Sequence, residues 1–194
     1  MKRAIIVFSI ASILAGCSSV PLGTMWRMRN FSIQDVAAID PNELRARIIS
    51  PDFVPKEEGS RLDIGFLDND SNDVYAFPLE IIDRKEETKG MFRKRVIRTT
   101  TFKLTPEAVD AFVRFRKLIR TDERKHRKAQ INVSSAFEPI EMKEKPKVLE
   151  ISILLKLKAE EDYLTLINKA RIDLNKMKTE QKKPPEKNIE DTKK

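Results

Sequence analysis

The sequence predicts a mainly β, α+β fold, namely an antiparallel β-sandwich-like domain of about seven strands with one inserted amphipathic helix. Two observations carry this prediction. Several short stretches alternate apolar and polar residues, which is typical of half-buried strands, and one stretch repeats its apolar residues at helical spacing. A curled antiparallel sheet with the helix packed across it would satisfy the same pattern, and the pattern leaves strand order open.

Four strands are predicted before the helix, in the runs 44–48, 62–66, 75–81 and 92–104. Pro78 lacks a backbone donor, which indicates an edge strand or a bulge in the third run. The charged stretch 83–90 is expected to form the loop between the third and fourth runs.

The helix is predicted to begin at Thr105-Pro106-Glu107. The threonine hydroxyl can cap the helix, proline suits its first position, and glutamate lies near the positive end of the helix dipole. Its apolar stripe consists of Ala108, Val109, Phe112, Phe115 and Ile119, opposite Arg114, Lys117 and Arg120.

Three further strands are predicted at about 131–137, 147–158 and 163–174. Pro139 is expected to end the first of them. Leu154 interrupts the polar face of the second. The third has no settled period, so a short helix stays open there.

The first 17 residues have the layout of a secretory signal. Lys2 and Arg3 precede an apolar run over 4–15, and small residues lead into Cys17. The run holds about 12 residues, whereas a membrane-crossing helix needs roughly 20. Residues 1–16 are therefore expected to be a signal peptide that is removed.

Leu14-Ala15-Gly16-Cys17 resembles the lipobox of bacterial lipoproteins. The resemblance implies cleavage before Cys17 and attachment of an S-diacylglycerol and an N-acyl group to it, with no other cofactor. Ser18 and Ser19 stand where lipoproteins retained in the inner membrane of enteric bacteria carry Asp. The resemblance therefore implies a cell-envelope protein that is lipid-anchored in the outer membrane and faces the periplasm.

A second set of residues consists of Met25-Trp26, Phe31, Asp40-Pro41 and Leu44-Arg45. This set is similar to the opening of a group of short, uncharacterised proteobacterial envelope lipoproteins. The resemblance implies a Gram-negative source and no particular activity.

Composition divides the rest of the chain into three parts. Residues 17–42 have no clear period and are expected to form the lipidated N-terminus and a tether. Within them Trp26, the sole tryptophan, is expected to pack on the sheet rather than rest at head-group level in a membrane. Residues 43–175 form the β-rich domain, and the charged stretch 176–194 is expected to be a disordered tail.

The chain is basic, with 38 Lys and Arg residues against 30 Asp and Glu and a formal net charge of +8. Removal of Lys2 and Arg3 with the signal lowers this charge by two. A positive surface fits an anionic membrane, an envelope polymer or an acidic protein partner. Export argues against nucleic acid as the natural partner.

Motifs of common enzymes are absent from the sequence, including the Gly-x-Ser-x-Gly elbow, His-Glu-x-x-His and glycine-rich phosphate loops. His126 is the sole histidine and Cys17 the sole cysteine, which excludes a metal site built from these two residue types. The sequence leaves open a catalytic pair of carboxylates of the glycosidase type, for example among Asp63, Asp68 and Asp70. We expect no enzyme, no catalytic residue and no metal.

A basic run, Arg124-Lys125-His126-Arg127-Lys128, follows the helix. Its Arg124, Lys125, Arg127 and Lys128 are a candidate anion-binding patch. Such runs more often lie in solvent, where their positive charges interact favourably with the negative C-terminal end of the preceding helix dipole.

Two functions remain. The first is a membrane-anchored binding or scaffolding module that docks a protein partner or an envelope polymer through a sheet edge or the basic face of the helix. The second is a periplasmic carrier of a lipid or other apolar ligand. Its cavity would be lined by the apolar residues of 149–157 together with Phe112 and Phe115, and a filled core would exclude it.

Replacement of Cys17 tests the lipid anchor. Cys17→Ser removes the thiol that would carry the lipid, so in a Gram-negative host we expect an unprocessed or non-acylated chain. Ser19→Ala keeps the four-residue motif and should gain acyl mass and sediment with membranes like the wild type. Intact mass spectrometry and membrane fractionation measure both. A wild-type chain that is soluble and carries no acyl mass would show a freely secreted domain instead.

Overall fold

The computed structural model describes residues 19–67, 72–90, 94–121, 128–139 and 148–173. The predicted signal peptide at 1–16, Cys17 and the predicted tail at 176–194 lie outside these ranges. The helices within them are α1 Leu22–Arg29, α2 Ile33–Ala37 and α3 Pro106–Arg120. The strands are β1 Arg45–Ser50, β2 Phe53–Pro55, β3 Arg61–Leu67, β4 Asn72–Lys89, β5 Arg95–Leu104, β6 Lys128–Ser134, β7 Phe137–Pro139, β8 Val148–Lys156 and β9 Leu164–Asp173.

Seven strands form one antiparallel sheet in the order β6-β3-β4-β5-β1-β8-β9, and β2 pairs with β7 in a short ribbon. The predicted mainly β, α+β class is confirmed. The architecture is not the predicted sandwich of two sheets. The seven strands belong to one curled sheet, and α3 packs across its concave face.

β4 is long enough to pair with different strands along its two parts. Its first part pairs with β3 up to Pro78, and its second part pairs with β5 from Leu79 onward, with a register shift between Ile81 and Asp83. Pro78 thus lies in an interior strand, at the change of partner and close to a bulge.

The predicted loop at 83–90 is wrong, because pairing of β4 with β5 continues to Lys89 opposite Arg95. In this arm of the sheet most side chains of β4 are exposed, so no apolar alternation marks the strand. Cross-strand ion pairs take its place, as between Arg98 Nε and Glu86 Oε1 at 2.7 Å.

The last predicted segment, which left strand and helix open, is the strand β9. It pairs with β8 through two register shifts, and each shift moves later side chains to the other face. This explains why its sequence shows no settled period. Pro139, expected to end the strand at 131–137, instead ends the separate strand β7.

α3 begins as predicted, with Thr105 Oγ1 accepting a hydrogen bond from Ala108 N at 3.2 Å. Its apolar stripe fills the concave face of the sheet. Phe112 is fully buried, and its ring centroid lies 4.8 Å from that of Phe77. Phe115 contacts Tyr75 at 4.5 Å between ring centroids.

The core begins earlier than the predicted domain boundary at residue 43. The stretch expected to be a tether contains α1 and α2 and contributes Phe31, Ile33, Val36 and Ile39 to the core. α2 has five residues and begins with a capping box, in which Ser32 and Asp35 bond each other's backbone N–H. Helices this short show too few residues for a helical period to be read.

Phe112→Ala tests the packing of α3. Removal of a buried phenylalanine ring leaves a cavity, so we expect the free energy of unfolding to fall by about 3–5 kcal/mol. Val113→Ala changes the adjacent residue, which is 38% exposed, and should cost far less stability, on the order of 0.5 kcal/mol. Urea unfolding measures both, and equal losses would contradict the observed burial of Phe112.

Candidate functional site

The curl of the sheet leaves a seam between its two edge strands, β6 and β9. Side chains from both strands line one cavity of about 390 Å³, together with Ile153 of β8. α1 lies over this cavity and contributes Thr24, Met25 and Met28. The N-terminal segment thus occupies the gap that an open sheet would expose.

Backbone contacts attach this segment to both edges. On one side Asn168 N of β9 donates to Ser19 O at 2.6 Å, and on the other Ala129 N of β6 donates to Phe31 O at 2.9 Å. Ser32 forms an isolated bridge with Lys128. Edge strands that offer unpaired N–H and C=O groups invite association with other chains, and this segment covers part of each edge.

α1 itself is fixed against β9 by side chains. The Thr24 hydroxyl is buried and donates to Thr165 O, and Arg27 forms an ion pair with Glu161 in the turn before β9. The orientation of α1 on the domain is therefore set by contacts on two of its residues.

A second concavity lies on the outer face of the sheet, opposite α3. This outer groove has a volume of about 520 Å³ and crosses β5, β1, β8 and β9. Its apolar floor includes Ile49, Ile97 and Leu154. Ile49 and Leu154 are outward residues of strands whose neighbouring residues face the core, and Ile97 lies on the same face, two residues before the Thr99 that pairs with Ile49. Half-buried apolar residues at three such positions distinguish this part of a sheet face that is otherwise mostly polar.

Charged residues form the rim of the outer groove. They are Lys89, Arg95, Lys169 and Glu150, and Lys89 is paired with Glu87 at 3.1 Å between nitrogen and oxygen. Lys169 is the rim cation that has no ion-pair partner among the described residues. Arg95 contacts Glu150 at 3.3 Å and Asp52 at 3.5 Å between nitrogen and oxygen.

Lys169 has φ 49°, a left-handed conformation that is uncommon outside glycine. It lies in the irregular part of β9, where its own N–H donates to Ser152 Oγ at 2.8 Å. The adjacent Asn168 N is the group that holds Ser19 O. One irregular segment therefore shapes the rim of the outer groove and also attaches the N-terminus.

Arg47 extends the basic outer face. It lies two residues before Ile49 on β1, on the same side of the sheet. Its guanidinium carbon lies 3.9 Å from the ring centroid of Tyr163, within range of a cation–π contact. Its Nε is buried and has no hydrogen-bond partner among the described residues.

The predicted site residues fall mostly outside the described ranges. Cys17, Arg124, Lys125 and Arg127 lie there, so both the lipid attachment site and most of the anion-binding patch stay predictions. Lys128 is described, exposed and placed at the start of β6, where it bridges to Ser32.

The basic face of α3 is exposed, as the sequence indicates, at Arg114 and Lys117. It also exposes Leu118. Of the acidic residues held open for catalysis, Asp68 and Asp70 lie outside the described ranges. Asp63 pairs with Arg61 at 2.9 Å and accepts a hydrogen bond from Ser134 Oγ at 2.8 Å.

The residues expected to line a carrier's cavity are part of the core. Phe112 and Phe115 are buried against other aromatic rings, as are the inward residues of β8 against the core. Ile153 alone among them also borders the seam cavity. A filled core thus occupies the place where the sequence would put a ligand.

The outer groove is the feature that sequence reasoning missed. One signal for it was present, because Leu154 interrupts the polar face of an otherwise regular strand. Ile49 and Ile97 gave no comparable signal, since β-branched residues occur on either face of a strand.

Within the described ranges, no group of three or more His, Cys, Asp and Glu side chains is placed to hold a metal ion. None of the helices described is long and apolar enough to cross a membrane. Comparison with protein-family models, with curated proteins and with solved structures found no match for the chain.

Proposed function

We propose that the chain is a bacterial lipoprotein, anchored through Cys17 in the outer membrane and facing the periplasm, that binds a protein partner in the outer groove. In this proposal it is a binding or scaffolding module and not an enzyme. The observation that carries the proposal is the groove itself, an apolar floor on an exposed sheet face with a charged rim that includes the Lys169 cation, unpaired among the described residues.

The arrangement of the groove matches the anatomy of a recognition surface, with apolar contacts at the centre and polar groups around them. Ile49, Ile97 and Leu154 are only half-buried, so a partner can remove further apolar surface from water. Full burial of one such side chain contributes roughly 1.5–3 kcal/mol relative to full exposure, and a share of this is available at each of the three positions.

The rim specifies the charge of the partner. Lys169 favours an acidic group opposite it, whereas Lys89 is already paired with Glu87 and Arg95 with Glu150. The partner segment that fits best carries apolar side chains at its centre and acidic side chains at its ends. An envelope polymer such as peptidoglycan offers carboxylates without the apolar part.

The position of the N-terminus supports the anchor. Ser19 is bonded to β9, and Cys17 lies two residues earlier, a length of chain that spans at most about 7 Å. A lipid on Cys17 would therefore hold the domain close to the membrane instead of on a long tether.

Photo-cross-linking tests the groove. A benzophenone amino acid in place of Leu154 should give a discrete protein adduct in intact cells, and the same group in place of Leu118 on α3 should not. Lys169→Glu is then added to the chain that carries the cross-linker at position 154, and it should lower the adduct yield about tenfold. A tenfold change corresponds to roughly 1.4 kcal/mol, and like charges facing each other across an interface cost more than this. Lys117→Glu is the matched control on α3.

Each other outcome decides against a part of the proposal. Equal adduct yields from positions 154 and 118 would show that the groove is not the binding surface. An adduct that muramidase digestion converts to small fragments would replace the protein partner by the cell-wall polymer. An adduct yield that does not change with Lys169→Glu would show that the partner does not place acidic groups opposite Lys169.

The filled core excludes a carrier that would hold its ligand there, but the separate seam cavity favours carriage of an apolar ligand as a second candidate function. Its volume of about 390 Å³ lies within the range of roughly 300–1,000 Å³ that is typical of ligand pockets. Val20, Met28 and Leu166 give it a mainly apolar lining.

If the protein is a carrier, the chain purified from membranes in mild detergent should retain one apolar molecule. Native mass spectrometry would detect this molecule as added mass. Ile131→Trp places a larger side chain in the seam cavity and should abolish this added mass. Val113→Trp, at an exposed position of α3, should retain it. An added mass absent from the wild type, or unchanged in Ile131→Trp, would reject the carrier.

A further inference from the structure

α1 exposes large apolar side chains on one face. Leu22, Met25 and Trp26 lie at positions i, i+3 and i+4, so they share one side of the helix. Their exposed fractions are 76%, 45% and 72%. The packing of Trp26 on the sheet that the sequence favoured is therefore wrong, and the alternative that placed it at a membrane surface remains.

This face cannot turn inward without losing contacts that the structure holds. Thr24, on the opposite side of α1, is buried against β9, and Arg27 is paired with Glu161. Leu22 and Trp26 are thus directed away from the domain by the same contacts that dock the helix, whereas Met25, at the edge of this face, also borders the seam cavity.

The face also lies close to the proposed anchor. Leu22 begins α1 five residues after Cys17, and Ser19 between them is bonded to β9. Acyl chains on Cys17 would enter the membrane a few residues from Leu22, so the lipid surface is the nearest apolar phase for this face.

We propose that α1 rests on the membrane, with Leu22 and Trp26 in the head-group region, so that the seam side of the domain faces the lipid. This inference rests on the lipid anchor proposed above. Tryptophan is enriched at this depth because its ring is amphipathic. Arg29 in the last turn of α1 adds attraction to anionic head groups.

A lipid surface fits this face better than a second protein does. Leu22 and Trp26 stand on a single eight-residue helix, and Arg29, one turn after Trp26, is exposed on the same side. Two exposed apolar side chains bordered by a basic residue are suited to contact an anionic interface.

Fluorescence tests the inference directly, because Trp26 is the sole tryptophan. The acylated full chain is reconstituted into vesicles of phosphatidylethanolamine and phosphatidylglycerol, with and without bromine on the acyl chains. We expect Trp26 emission to shift to the blue and to fall roughly twofold or more in brominated vesicles, as for a tryptophan at head-group depth. Quenching by aqueous acrylamide should fall relative to the protein in detergent.

A relocated tryptophan provides the control. Trp26→Phe combined with Ile82→Trp moves the fluorophore to an exposed position of β4, an interior strand away from both edges of the sheet. Its emission should respond to acrylamide and not to bromine.

The outcomes separate the two proposals. A chain without acyl mass that does not bind vesicles rejects the anchor. An acylated, vesicle-bound chain whose Trp26 behaves like the Ile82→Trp control rejects the resting of α1 on the membrane while the anchor stands. A Trp26 shielded from acrylamide and also from bromine assigns the face to a protein contact, which again overturns the inference.

Discussion

Phe112 and Phe115 of α3 lie on the concave face of the sheet, in contact with Phe66 and Phe77 of β3 and β4. One helix thus packs against the inner face of the neighbouring strands β3, β4 and β5. A flat sheet of seven strands would be wider than one helix can cover, so burial of the inner residues requires the sheet to curl around α3. The long strand β4, which changes partner near Pro78, allows this curl.

The curl brings β6 and β9 to the two sides of one seam, and the seam explains the role of the N-terminal segment. That segment bonds β9 at Ser19 and β6 at Phe31, so it covers exposed edges that would otherwise offer pairing sites to other chains. If Cys17 carries lipid, the anchor and the closure of the fold belong to one short stretch of chain. The domain would then have a defined side toward the membrane.

The two surfaces proposed to act in binding lie in different places. The face of α1 offers apolar groups and the basic Arg29 where a membrane would be, and the outer groove offers an apolar floor with a charged rim on the sheet. Irregular pairing in β9 links them, because Asn168 holds the N-terminus and Lys169 borders the groove. A partner in the groove would therefore contact the same strand that fixes α1.

The sequence by itself determined the mainly β class, the cap and apolar stripe of α3, and most strands, because alternation and helical spacing reflect burial on one face. It also carries the lipoprotein-like motif at Cys17. Only the tertiary structure decided the single curled sheet, the continuation of β4 through its charged residues, and the inclusion of 31–42 in the core. It alone placed Trp26 in solvent and gathered Ile49, Ile97 and Leu154 into a groove. The physical reason is that strand order, register shifts and the meeting of distant edges depend on contacts between residues far apart in the chain, which local periodicity does not record.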